Sequence, residues 1–138
     1  MSAQTPFVSP EYIFSVGTGF MAAKTLLAAV ELDVFTALGE APGTLPELET
    51  RLGLHPRASR DFLDALVALG FLEREAGVYR NTAPAAIYLD RRQDTCIAAL
   101  LEMADRRLYH YWDRLPEALR TGAPQNELRD GGPTLFAA

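Results

Sequence analysis

The stretch from Glu11 to Leu32 limits what this chain can fold into more than any other, because it reads as a helix with too little polar surface for water. Val16, Phe20, Ala23, Leu27, Val30 and Val34 recur alternately four and three residues apart, the spacing of one helical face, which is therefore expected to be buried. Between Gly19 and Leu32 the only charged or hydroxyl side chains are Lys24, Thr25 and Glu31, while Met21, Ala22, Leu26 and Ala28 lie off the stripe. A helix apolar on more than one side is either central to a domain or shared with a second chain.

The segments that follow carry clear local signals. Asp33 to Leu38 reads as one more short helical turn before a loop from Gly39 to Gly43. Thr44-Leu-Pro-Glu47 has the capping-box spacing, in which the threonine hydroxyl and the glutamate each satisfy a free backbone N–H. Leu45, Leu48 and Leu52 form that helix's inner face, and Gly53 stops it. Pro56 suits the first turn of the next helix, whose inward residues are Phe62, Leu63, Leu66, Val67 and Leu69, ending at Gly70. Phe71 to Glu75 and Val78 to Thr82, joined at Ala76-Gly77, read as a β-hairpin. The expected fold class is mainly α, a winged helix-turn-helix with a small β-hairpin wing and additional N- and C-terminal helices.

Past the hairpin, Pro84 opens a short helix through Leu89, and Asp94 is placed to cap a longer one. Ile97, Leu100, Leu101, Ala104 and Leu108 continue a helical stripe through Tyr111, Trp112, Leu115 and Leu119, which Pro116 must kink or split by removing an N–H. Gly, Pro, Asn and Asp are dense from Gly122 to Pro133. The expected organisation is one domain over residues 1–122 and a linker over 123–138, with Leu135-Phe136 reading as the first turn of a further helix.

Composition excludes several classes. With 49% hydrophobic and 22% charged residues the chain is globular rather than disordered. Its formal charge of −5 opposes a general attraction to phosphate backbones. Within Thr44–Thr82, Arg51, Arg57, Arg60, Arg74 and Arg80 face Glu47, Glu49, Asp61, Asp64, Glu73 and Glu75, so the DNA-binding reading of the helix-turn-helix is disfavoured. Cys96 is the only cysteine, which rules out an intrachain disulfide or cysteine-rich zinc site and fits a cytoplasmic location. The N-terminus lacks the pattern of a signal peptide, and Lys24 interrupts the most apolar run, so no membrane association is expected.

Candidate chemistry is sparse. Gly17-Thr18-Gly19 has two close glycines but no preceding strand, so close helix–helix approach explains it better than a nucleotide loop. His55 and His110 lie far apart without a nucleophile, and no metal site is expected. In the run Tyr109-His-Tyr-Trp112, Tyr111 and Trp112 continue the stripe while Tyr109 and His110 point elsewhere. Core packing and a contact surface for another domain or an aromatic ligand both account for that.

The phrases DFLDALVALGFLEREAGVYRNT, AAIYLD and LEMADRRLYHYWDRLPEALRTGAPQNE carry a resemblance. From about Tyr12 to Glu127 the chain resembles the N-terminal region of bacterial S-adenosylmethionine-dependent O-methyltransferases acting on small molecules, relatives of the caffeate and hydroxyneurosporene enzymes. The resemblance implies a winged-helix domain whose additional N- and C-terminal helices are dimerisation helices, which interlock in a homodimer and help roof the acceptor pocket. By that analogy Phe14, Phe20, Met103, Arg107 and Trp112 are pocket or interface positions, and an aromatic small molecule is the implied acceptor. In that family S-adenosylmethionine and the general-base histidine belong to a C-terminal Rossmann-like domain. None of its glycine-rich loop is found here, so this polypeptide alone is expected neither to bind the cofactor nor to catalyse. The competing readings are a winged-helix transcription regulator and a stand-alone aromatic small-molecule binding protein.

Overall fold

A computed structural model describes residues 8–126, so the expectations placed on residues 127–138 lie outside the described residues. Backbone contacts group the chain into two compact units, divided between Cys96 and Ile97. The expected single helix at the start is instead two, α1 (Glu11–Gly17) and α2 (Gly19–Glu31), separated at Thr18. Glycine on both sides weakens the helix there, and the Thr18 hydroxyl donates to the Phe14 carbonyl at 2.6 Å. Asp33, at φ 58°, then turns the chain into α3 (Val34–Glu40). Aspartate tolerates that left-handed conformation better than most residues. Helix α3 runs past Gly39, where a loop was expected.

The capping box forms as the spacing predicts: the Thr44 N–H donates to Glu47 Oε2 at 2.7 Å and α4 (Leu45–Leu52) follows, ending at Gly53 with φ 65°. Pro56 lies in the connecting turn rather than in a helix, and His55 Nδ1 accepts the Arg57 N–H at 3.1 Å. Helix α5 (Ser59–Ala68) starts at Ser59, whose buried hydroxyl donates to the Glu49 carboxylate and ties α5 to α4. Leu63 and Leu66 are fully buried, Phe62 and Val67 are half-buried, and Leu69, expected inside, is 40% exposed. One turn beyond Ala65 the helix is ending, so Leu69 has left the inner face.

The hairpin pairs β2 (Leu72–Glu75) with β3 (Val78–Asn81) through Ala76 and Gly77, both at positive φ. Two positive-φ residues make a type I′ turn, which matches strand twist and prefers Asn-Gly. Ala76→Asn is accordingly expected to raise stability by roughly 0.5–1 kcal/mol, read as a higher urea midpoint at unchanged slope.

A third strand was not foreseen. Gly43–Thr44 forms β1, antiparallel to β3, with Gly43 opposite Tyr79 and Thr44 opposite Val78, giving the order β1-β3-β2. Arg51 arches over Gly43 to donate to the carbonyls of Ala41 and Pro42 at 2.7 and 3.2 Å, and a Cβ at Gly43 would collide with its guanidinium. The core between these elements is Leu27, Val30, Val34, Phe35, Leu38, Leu48, Leu63, Leu66, Leu72 and Tyr79. Phe71 meets Phe35 edge to face, and Asn81 Nδ2 donates to the Phe35 carbonyl at 2.8 Å, joining sheet to α3. Helix α6 (Ala83–Tyr88) carries Pro84 in its first turn, as expected.

The second unit begins with α7 (Ala98–Met103), a π-helical turn (Ala104–Leu108) and α8 (Tyr109–Trp112). Asp94 does not cap α7: it lies in a run of turns, and Ile97 occupies the cap position without a side-chain bond. The π turn was not foreseen, and its extra residue per turn shifts the apolar stripe in phase. Pro116 falls in the first turn of α9 (Leu115–Thr121), after a break at Asp113–Arg114, so the helix is split as its missing N–H requires.

Candidate functional site

The first unit's outstanding surface is the N-terminal helix pair. No residue of α1 is buried, and in α2 only Leu27, Ala29 and Val30 are. Tyr12, Ile13, Phe14 and Val16 are 65–80% exposed, and Phe20 and Met21 are 56% and 58% exposed. The stripe expected to be buried along its whole length is therefore buried only from Leu27 onward. Val16, Phe20 and Ala23 lie in solvent, because the core sits under the C-terminal half of α2 alone.

Six large apolar side chains on two successive helices form a patch that a monomer in water rarely shows. Gly17 and Gly19 lie within it, and a Cβ built on either meets nothing within 4 Å, so the close helix approach expected there is not made among the described residues. Taken together, Glu11–Glu31 spans 21 residues, and its most apolar 18-residue stretch has mean hydropathy 1.6 and is 17% buried. By length and composition, Lys24 included, it is apolar enough to cross a membrane, a test that core helices of proteins in water also pass.

The five candidate positions fall in both units. Phe14 and Phe20 belong to the exposed patch of α1 and α2. In the second unit Met103 is 37% exposed, Arg107 is half-buried within the π turn, and Trp112 at the end of α8 is 69% exposed. π-Helical turns recur at functional sites, because the added residue redirects the side chains that follow. Tyr109 and His110 stack edge to face at 6.4 Å. Tyr12 and Ile13, more exposed still than Phe14, join these positions although no sequence pattern singles them out. Their apolarity was visible, but not their lack of a partner.

The segment from Thr44 to Thr82 commits three of its five arginines to contacts within the fold. Arg74 holds both oxygens of Asp64 at 2.6 and 2.7 Å, Arg80 approaches Glu75 at 4.0 Å, and Arg51 is committed to the carbonyls above Gly43. Gly17-Thr18-Gly19 lies between two helices and not after a strand, so it does not fit a nucleotide cradle. Among the described residues no group of three or more His, Cys, Asp or Glu is placed to hold a metal ion.

Comparison with known proteins gives this arrangement a context. The family model for the O-methyltransferase dimerisation domain matches residues 14–91. The tetracenomycin polyketide synthesis 8-O-methyl transferase TcmO of Streptomyces glaucescens is 47% identical over 126 residues, covering 91% of this chain and 37% of that protein. The 3-hydroxy-5-methyl-1-naphthoate 3-O-methyltransferase of Streptomyces sahachiroi is 36% identical over 92% of this chain and 37% of its own length. The crystal structure of human N-acetylserotonin methyltransferase in complex with SAM superposes with a TM-score of 0.81 at 28% identity, over 96% of this chain and 41% of that one. The chain thus spans just over a third of the length of the curated relatives it matches. It belongs to the O-methyltransferase dimerisation domain family, the dimerisation domain of S-adenosylmethionine-dependent O-methyltransferases.

Proposed function

We propose that this chain is the homodimerising, pocket-lining part of an S-adenosylmethionine-dependent O-methyltransferase, working in the cytoplasm on an aromatic phenol of polyketide type. The observation that carries the reading is the exposed apolar face of α1 and α2, which a second copy would cover. Fully burying such side chains stabilises by about 1.5–3 kcal/mol each. Two copies contribute the patch twice, enough to offset an association cost on the order of 4–15 kcal/mol.

In this reading α4, α5 and the hairpin form a winged helix-turn-helix used as scaffold. Arg51, Arg74 and Arg80 are occupied within the fold, which leaves a weak electrostatic footprint for DNA. Residues 1–122 act as one functional domain and 123–138 as the linker. Met103, Arg107 and Trp112 would line the acceptor pocket, apolar side chains holding an aromatic ring and the guanidinium steering a polar substituent. The naphthoate and tetracenomycin relatives support an aromatic acceptor of that kind. Gly17-Thr18-Gly19 lies between two helices rather than after a strand and so lacks the form of a cofactor cradle, and no methyl-transfer step is assigned to the described residues. Their contribution is to bind and orient the acceptor and to keep water from it.

Sedimentation equilibrium tests the assembly, and Trp112, the only tryptophan, reports on the pocket. The expected outcome is a dimer at micromolar concentration and quenching of Trp112 emission by a naphthol, without retention of duplex DNA at low salt. A chain that stays monomeric at high micromolar concentration overturns the homodimer. Emission indifferent to naphthols overturns the pocket assignment.

A further inference from the structure

The exposed patch is carried by a lever. Helix α2 is anchored in the core only through Leu27, Ala29 and Val30, and everything from Lys24 back to Glu11 is exposed. From Val30 to Phe20 helix α2 runs about 15 Å, so a tilt of about 10° at the root moves Phe20 by about 3 Å. Packed apolar interfaces register misfits smaller than one methylene, and an isologous dimer doubles every error. The root angle therefore decides whether two patches can meet.

One residue grips that root from three sides. Arg91 Nε donates to Asp33 Oδ1 at 2.6 Å, its Nη2 reaches the Val30 carbonyl at 3.3 Å, and its backbone N–H donates to Thr36 Oγ1 at 3.2 Å. Val30 is in the last turn of α2, Asp33 is the left-handed elbow, and Thr36 is in the first turn of α3. A planar guanidinium with a fixed fork of donors holds such a set more rigidly than an ammonium can. The residues on either side of Arg91 are joined to each other. Asp90 is 2% exposed, and Arg92 closes on it with Nε and Nη2 at 3.0 and 2.6 Å.

We propose that Arg91 is the positioning residue of the dimer: by clamping the α2–α3 elbow it sets the angle at which the arm of α1 and α2 meets a second copy. This rests on the homodimer reading, and the test separates the two. In the full chain on a Cys96→Ser background, spin labels are placed at Ser15→Cys on α1 and Glu75→Cys at the hairpin tip. Labelled chain is diluted with unlabelled chain and their separation is measured by pulsed electron resonance, beside the dimer dissociation constant.

The unsubstituted clamp is expected to give one narrow distance distribution. Arg91→Ala should broaden it and raise the dissociation constant by about tenfold or more. Arg91→Lys should fall between, as should Asp33→Asn, which tolerates the left-handed elbow and still offers an oxygen but no charge; adding Asp33→Asn to Arg91→Ala should change little further, which two independent losses of stability would not produce. An unchanged distribution in Arg91→Ala overturns the clamp whatever the dimer does. A broadened distribution with an unchanged dissociation constant overturns its role in assembly. Broadening in a parent chain that never dimerises leaves the clamp standing, while the homodimer reading falls. If Arg91→Ala does not fold, Arg91→Lys and Asp33→Asn decide: distance distributions and dissociation constants equal to those of the parent chain in both overturn the proposal.

Discussion

Phe20→Glu is expected to leave the isolated chain folded and to abolish its dimer. Phe20 is 56% exposed within the single chain, so the substitution removes little packing, and surface changes of that kind fall within about ±0.5 kcal/mol. In the dimer the same position would lie under the second copy. A carboxylate without a partner in an apolar contact costs at least about 2 kcal/mol, and the two-fold axis presents it twice. A penalty of about 4 kcal/mol corresponds to a dissociation constant about a thousandfold higher. The measurement is sedimentation equilibrium with circular dichroism as the control for folding. Persistence of the dimer would remove α1 and α2 from the interface.

The same variant discriminates between a second copy and a bilayer, since either could cover Glu11–Glu31. Flotation with lipid vesicles that is lost in Phe20→Glu, with no change in association state, would point to the membrane instead. The homodimer account expects no flotation of the parent chain.

What could be read from the residues alone follows from how far each determinant reaches along the chain. The Thr44–Glu47 capping box and the Ala76–Gly77 turn are closed by neighbours within a few positions, and both form where their spacing puts them. Strand β1 was invisible because two residues acquire their pairing from Val78 and Tyr79, far along the chain. The Arg91–Asp33 ion pair spans 58 positions, and no local pattern in either segment announces it. Proximity along the chain also misled: Asp94 has the right chemistry to cap a helix, but the intervening turns put Ile97 at the cap.

The apolar excess of Glu11–Leu32 was legible and led to the surface, yet periodicity does not distinguish burial in one's own core from burial in a twin. Val16 and Phe20 sit in register with Leu27 and Val30, and only the extent of the core separates them. Phe14 and Phe20 were reached as pocket or interface positions only through the family resemblance, and Arg91, polar and remote, was reached by neither resemblance nor periodicity.

The largest loss of stability is expected at Tyr79, the bulkiest residue buried below 2% exposure. It sits at the centre of the three-stranded sheet, opposite Gly43 on one side and Arg74 on the other. Its hydroxyl donates to Asp64 Oδ1 at 2.7 Å, the acceptor that Arg74 also holds, and the Arg74 guanidinium lies 5.8 Å from its ring centroid. Tyr79→Ala removes the ring, opens a cavity and strips Asp64 of a donor, for an expected loss of about 3–5 kcal/mol, a large share of what a small domain has. Tyr79→Phe keeps the ring and loses only the hydroxyl bond to a carboxylate, which is worth about 1.5–3 kcal/mol. Urea unfolding should order the three chains accordingly, and equal midpoints for Phe and Ala would show that the ring fills no space of consequence. Burial first, and then the bond to Asp64, push the Tyr79 phenol above its ordinary range. A raised value means that the folded state favours the neutral phenol. This contribution is complete below about pH 10 and is lost as pH rises through the folded-state value. Tyr79→Phe should therefore flatten the alkaline limb of the stability profile and leave its acid limb unchanged.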